Sequence, residues 1–339
     1  MSEEKLKVAV VGLGKMGLVH SGILNVMPNV QLTAVCEKSR LIRRFAKKII
    51  KDVSVVDDVR KLSEFDIDLV YVTTPIPSHF VITQTICSER IAQNIFVEKT
   101  LARNYDEARK LCELVGNSVG VNMVGYLRRF YVTFRKAKDL LTQEAIGRVS
   151  SFKAYAYSSD FVGNEKTLSA GSALRGGLLS DLGCHAIDLA LWFFGDLQVN
   201  STDHKSLGNG DSGKPARFQV MRSDGLVGDF EVSWCMGDYR MAEVGFSIDG
   251  SKGVIEVNDD RIELKLNTGE TFVWYRHDLN DNVPFWLGLP EYYREDLHFI
   301  RSVIEKHDAE PDFYDASKVD KIISWASSEM SEHANSTSV

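Results

Sequence analysis

The chain has 339 residues, 44% of them hydrophobic and 26% charged, with 40 Lys and Arg against 47 Asp and Glu for a formal net charge of −7. That length holds two domains with cores of their own, and the composition excludes disordered, collagen-like and disulfide-stapled classes. The acidic balance argues against nucleic acid or an anionic membrane as partner, and "RLIRRFAKK" (Arg40 to Lys48) reads as one solvated helix face.

The opening residues, "MSEEKLKVAVVGLG", are acidic where a signal peptide needs a basic region, and no long apolar run follows. A cytoplasmic location is therefore expected. Leu6 to Val11 reads as a buried strand, followed at once by Gly12-x-Gly14-x-x-Gly17 and a helix to about Val26. In that strand–turn–helix setting the glycines have distinct tasks. Gly12 permits the turn, Gly14 admits a pyrophosphate close to the backbone, and Gly17 lets helix and strand pack closely. The loop residues Leu13, Lys15 and Met16 join them as expected cofactor contacts, with phosphate favoured by the helix N-terminus.

A second strand, "VQLTAVC", ends at Glu37, twenty residues after Gly17. An acidic side chain there accepts from the adenosine ribose and repels a 2′-phosphate, which favours NAD. Lys38 and Arg40 lie beside it and keep NADP as the second choice.

The alternation continues through "IDLVYVTTP", a helix from about Ser78 to Ile91, "QNIFVEKT", a helix from about Asp106 to Val115, and "SVGVNMVGY". Such βα units predict a doubly wound parallel sheet, a Rossmann dinucleotide-binding domain over residues 1–124. Ligands bind beyond the carboxyl ends of such strands. Thr73, Thr74, Pro75, Glu98, Lys99 and Tyr126 all fall there, and His79 begins the helix after the first three.

The pattern then changes. "GYLRRFYVTFRKAKDLLTQEAIG" gives a loop and a helix, and "VSSFKAYAYSSDF" alternates like an antiparallel strand. After a helix to about Phe194 come five strand-like runs, "ARFQVMRS", "LVGDFEVSWCM", "AEVGFSIDG", "KGVIEVNDDRIELKL" and "ETFVWYRH", split by turn signals such as Asp224-Gly225. Helices over about Glu291–Lys306 and Tyr314–Glu332 close the chain. This predicts an α+β domain over 125–339, built on a large, mostly antiparallel sheet, with a C-terminal helix packing back on the first domain. Substrate binding and oligomerisation are its expected tasks, the open sheet face suiting a homodimer or homotetramer. The five cysteines, Cys36, Cys87, Cys112, Cys184 and Cys235, are widely spaced without a C-x-x-C pair, as expected of reduced thiols.

Near the centre, "GGLLSDLGCHAID" sets Asp181, His185 and Asp188 at i, i+4 and i+7, on one face of a helix. Three readings compete. A structural one makes Asp181 a cap, His185 a bonded core residue and Asp188 the partner of a neighbouring loop. A metal site lacks a second His or Cys to complete it, so no metal is expected. The third is proton transfer beside a nicotinamide, for which an imidazole with an ordinary pKa of ~6.5 is suited.

"VGLGKMG", "FVEKT", "GYLRRF" and "GGLLSDLGCHAIDLALW" together resemble the glucose–fructose oxidoreductase, inositol dehydrogenase and MocA group (Gfo/Idh/MocA), over nearly the whole chain. The D-x-x-x-H-x-x-D core is the most specific of these. The resemblance implies an NAD(P)-dependent oxidoreductase moving hydride between nicotinamide and a carbinol or carbonyl carbon of a sugar, inositol or related polyol. It makes Lys99 the lysine of the family's E-K-P tripeptide, which contacts cofactor and reacting oxygen. Asp181 and His185 become the catalytic pair, His185 as general acid/base. Thr100 stands where the family usually has proline, and Leu127 where many members carry a polar residue. Tyr126, Arg128, Tyr157 and Arg175 are the remaining expected substrate contacts. The rivals are a non-catalytic nucleotide-sensing regulator on the same fold and a dihydrodiol- or biliverdin-type reductase.

Overall fold

The structure, a computed structural model, describes residues 5–116, 120–162, 175–202, 215–284 and 288–336. Its first strand, β1 (Leu6–Val11), is enclosed on both faces, Val8, Ala9 and Val10 having no exposed surface. A strand so placed needs helices on either side, which the βα repeats supply. In chain order these are α1 (Lys15–Val26), β2 (Val30–Cys36), α2 (Arg40–Ile49), β3 (Ser54–Val56) and β4 (Leu69–Val72). Then follow α3 (His79–Ser88), β5 (Asn94–Glu98), α4 (Tyr105–Val115) and β6 (Asn122–Gly125). The Ser39 and Asn104 side chains accept from Ile42 N–H and Glu107 N–H and so start α2 and α4.

All six strands are parallel, in the order β3-β2-β1-β4-β5-β6. The expected doubly wound sheet is present. The order reverses between β1 and β4, the point at which such sheets open a crevice for a ligand.

The second sheet has eight strands: β7 (Val149–Tyr157), β8 (Gln198–Thr202), β9 (Ala216–Met221), β10 (Val227–Ser233), β11 (Glu243–Gly250), β12 (Gly253–Asn258), β13 (Arg261–Leu266) and β14 (Thr271–Tyr275). They run β14-β13-β12-β11-β7-β10-β9-β8, antiparallel except for the β7–β10 pair. The expected large, mostly antiparallel sheet is therefore present too. Alternation in β7 buries Phe152, Ala154 and Ala156 on the face covered by α5 (Val132–Thr142) and α6 (Cys184–Phe194). Phe152 stacks on Phe194 of α6 at 4.5 Å between ring centroids.

α7 (Pro290–Glu305) and α8 (Phe313–Ser336) complete the chain. Two compact units result, Met1–Tyr126 with Trp286–Ser317 and Leu127–Phe285 with Lys318–Val339. Helix α7 belongs to the first and packs on α1. Among the described residues no helix is long and apolar enough to cross a membrane.

Candidate functional site

In the first unit the glycine turn is shaped by close contacts. Gly12 sits at φ +95°, and a Cβ there would meet Thr74 Cγ2 at 2.7 Å. A Cβ on Gly17 would stand 1.8 Å from the Gly12 carbonyl oxygen, so only glycine lets α1 start this close to β1. Gly14 differs, because nothing lies within 4 Å of its would-be Cβ. Its bareness leaves room for a ligand instead of satisfying a protein neighbour. Thr73 at the end of β4 ties the two strand ends together, its N–H donating to Val11 O (2.9 Å) and its hydroxyl to Gly12 O (2.7 Å).

No side chain caps the N-terminus of α1, so its first N–H groups remain available to a phosphate. A cavity of about 620 Å³ opens beside it, bounded by Gly14, Met16, Glu37, Thr74 and Pro75, with Lys15 and Lys38 also on its wall. Glu37 accepts from Leu13 N–H (2.8 Å) and Ser39 N–H (2.7 Å), which fixes its carboxylate at the cavity wall. Each oxygen keeps a lone pair for a ribose hydroxyl. These features fit a dinucleotide. Leu13 is buried, and Arg40 opens α2 with its side chain exposed.

Sequence reasoning missed Asp57 and Asp58, which reach the same cavity from the end of β3, and Val81 and Ile82 of α3. The signal for the first two was their strand-end position after "VV"; β3 is three residues long and leaves little pattern. Cys36 also lines the cavity, and burial, reinforced by the Asp58 carboxylate, pushes its thiol up to about 12. It is a protonated wall residue, inert as a nucleophile.

Lys99, half-buried, follows β5. Its own N–H donates to Glu98 Oε2 (3.1 Å). The next residue, Thr100, is fully buried; its hydroxyl donates to Ala102 O (3.1 Å), and His79 Nδ1 lies 2.7 Å from its carbonyl oxygen. The Lys99–Thr100 peptide is cis. His79 Nε2 lies 2.7 Å from Thr74 O, so this buried ring joins the loop after β4 to the turn after β5. Expected as a cofactor contact, His79 has both ring nitrogens engaged by main-chain carbonyls. Burial draws its pKa below the ordinary value. Tyr126, at the end of β6, is fully buried.

In the second unit the central motif departs from the single helix expected. Leu179–Gly183 forms a π-helical turn, and α6 begins at Cys184. The wider turn shifts Asp181 relative to His185 and Asp188, and such turns recur at functional sites. Asp181 and His185 are both half-buried. Arg175 reaches Asp160 Oδ2 at 2.5 Å and Asp181 Oδ2 at 3.3 Å, which places one expected substrate contact beside one expected catalytic residue.

Asp188 does not belong to that group. It is 1% exposed and receives Nε and Nη2 of Arg129 at 2.9 and 2.7 Å, a fork-to-fork ion pair that fastens the Leu127–Phe130 turn to α6. Arg128 is likewise enclosed, bonded to both oxygens of Asp259 (3.1 and 3.0 Å) and to Ala242 O (3.1 Å). Tyr157 lies on the sheet face opposite α6, its hydroxyl donating to Glu231 at 2.7 Å. The structure thus brings Arg175 and Asp181 together and sets Arg128 and Tyr157 elsewhere.

The chain matches known proteins along most of its length. Residues 6–126 fit the model of an oxidoreductase family with an NAD-binding Rossmann fold, and residues 134–256 fit a GFO/IDH/MocA C-terminal domain. It is 21% identical to myo-inositol 2-dehydrogenase of Thermotoga maritima over 274 residues, 79% of this chain and 75% of the relative. To D-glucoside 3-dehydrogenase of Escherichia coli it is 26% identical over 244 residues, 68% of each. Among solved structures, levoglucosan dehydrogenase in complex with NADH and levoglucosan superposes with a TM-score of 0.83 at 20% identity, covering 97% of this chain and 98% of that one. With an NAD-shaped turn, a matching Rossmann domain and a matching C-terminal domain, the chain belongs to the Gfo/Idh/MocA family of NAD-binding oxidoreductases.

Proposed function

We propose that this protein is an NAD-dependent dehydrogenase acting on one hydroxyl-bearing carbon of a sugar, an inositol or a related polyol. The carrying observation is a turn and cavity built for NAD in a chain that retains Lys99, Asp181 and His185. The relatives named for inositol and glucoside oxidation support the substrate class. When bound, NAD accepts or returns the hydride.

The chain's own groups handle the oxygen and its proton. The Lys99 ammonium stabilises negative charge developing on the reacting oxygen. His185 takes the hydroxyl proton during oxidation and returns it during reduction, and Asp181 orients the imidazole and stabilises its charged form. Arg175, held by Asp160 and Asp181, supplies a guanidinium to substrate oxygens. Arg128 and Arg129 serve the fold, since both are buried in ion pairs. Glu37 and the nearby Asp57 and Asp58 carboxylates favour NAD over NADP by repelling a 2′-phosphate.

The free cysteines fit a reducing compartment, which in this reading is the cytoplasm. The sheet face bearing Tyr155, Tyr157, Arg217 and Glu231 forms a depression of about 760 Å³ and is the proposed contact between subunits. Turnover of a panel of inositols, aldoses, glucosides and anhydrosugars with NAD tests the function. NADH formation from at least one member is expected; NAD binding without turnover across the panel would favour the regulatory rival.

A further inference from the structure

Helix α1 carries a histidine that the cofactor turn does not use. His20 has no exposed surface, and each ring nitrogen faces a carboxylate: Nδ1 stands 2.7 Å from Asp296 Oδ1 of α7, and Nε2 stands 3.1 Å from Glu98 Oε1 at the end of β5. Carboxylates accept, so both contacts are hydrogen bonds only when the ring carries a proton on each nitrogen. Burial opposes that charge, but Asp296 and Glu98 outweigh it and hold the imidazole pKa well above its ordinary value. Tyr71, Phe96 and Tyr292 pack around the ring at 5.4, 5.2 and 5.9 Å between centroids and keep water away. Among the described residues no group of His, Cys, Asp and Glu is placed to hold a metal ion.

Glu98 uses its other oxygen differently. Oε2 accepts the backbone N–H of Lys99. A hydrogen-bonded line therefore runs from Asp296 through His20 and Glu98 to the main chain of Lys99, within one compact unit. Beyond Lys99, the Thr100 carbonyl is met by His79. Thr100 lacks the ring that a proline would lend this turn, and the two histidines hold the main chain on either side of Lys99 instead.

We propose that His20 is a positioning residue for Lys99: as an imidazolium between Asp296 and Glu98, it fixes the Glu98 carboxylate that sets the main chain, and hence the aim, of the Lys99 ammonium. The inference rests on the reading of Lys99 given under Proposed function. His20 touches neither cofactor nor substrate in this scheme and acts only through Glu98.

The test has two independent readouts on the full-length protein. Amide hydrogen exchange by NMR reads the brace without any substrate. In His20→Gln, exchange at the Lys99 and Thr100 amides should speed by about tenfold or more, while the Val10 and Val70 amides of the sheet stay unchanged. A uniform rise everywhere, or no change at Lys99, overturns the brace. If His20→Gln fails to fold, Asp296→Asn keeps the ring, weakens its anchor and should show the same local pattern.

The second readout is kcat with NAD and the best polyol of the panel. His20→Gln should lower kcat about tenfold with KM for NAD within a small factor, and should add almost nothing to the loss in Lys99→Ala. Losses that multiply in the double variant overturn the inference. An unchanged kcat in Lys99→Ala, with the exchange pattern as expected, removes the catalytic reading of Lys99 and with it the purpose assigned to His20.

Discussion

Nδ1 of His79 lies 2.7 Å from the carbonyl oxygen of Thr100, and Nε2 of the same ring lies 2.7 Å from that of Thr74. One buried side chain thus joins the turn that carries Lys99 to a loop on the NAD cavity wall. The neutral imidazole donates to one of these carbonyls, so His79→Ala leaves that buried acceptor short of its donor, at a cost of about 1–3 kcal/mol. The expected result is lowered denaturant stability together with weaker NAD binding by titration. Unchanged NAD affinity would mean that Thr74 holds its place unaided.

Glu37 accepts from Leu13 N–H as well as facing the cavity, so in the proposed reading it sets both cofactor choice and the shape of the glycine loop. Wild type should prefer NAD by kcat/KM. Glu37→Ser should move preference towards NADP while also weakening NAD binding, since the loop loses an anchor. Tenfold in the ratio corresponds to about 1.4 kcal/mol. A wild-type preference for NADP of that size would contradict the assignment.

The Arg129–Asp188 pair separates structure from chemistry inside the central motif. Asp188→Asn leaves a buried guanidinium without its counter-charge, a change that costs about 3–5 kcal/mol when a buried pair is broken. Urea unfolding should show that loss. Turnover per folded molecule should stay within a factor of about two, as expected of a group that meets no reactant. A large fall in kcat at unchanged stability would place Asp188 in the catalytic group.

The His20 cluster predicts a pH effect of defined sign. Its folded pKa is raised above the unfolded ~6.5. The stability it contributes is therefore complete below pH ~6.5 and is lost as pH rises through the folded pKa. Thermal unfolding across the alkaline range should show wild type declining more steeply than His20→Gln. Parallel curves would mean that His20 is neutral in the folded protein.

The sheet architecture and most of the nucleotide turn were legible in the sequence because they depend on local pattern. Buried β runs, the glycine spacing and an acid at the end of β2 are all read within one βα unit. What escaped depends on distant partners. His20 looks like a lone histidine on an apolar helix until Asp296, 276 residues on, meets it. Arg128 was expected among the substrate contacts; Asp259 claims it from 131 residues away. Tyr157 alternates correctly in β7, but the alternation does not say which face looks towards α6. The π turn at Leu179–Gly183 has no period that distinguishes it from the first turn of an α-helix.

The central claim is that His185 moves the hydroxyl proton during polyol oxidation, and the pH dependence of kcat/KM in wild type and His185→Ala tests it most directly. Wild type should rise with pH through one ionisation as the imidazole becomes neutral, and the variant should lose that rise along with about 10²–10⁴ of the rate. A folded His185→Ala protein that turns over near the wild-type rate, with the same pH profile, would contradict it.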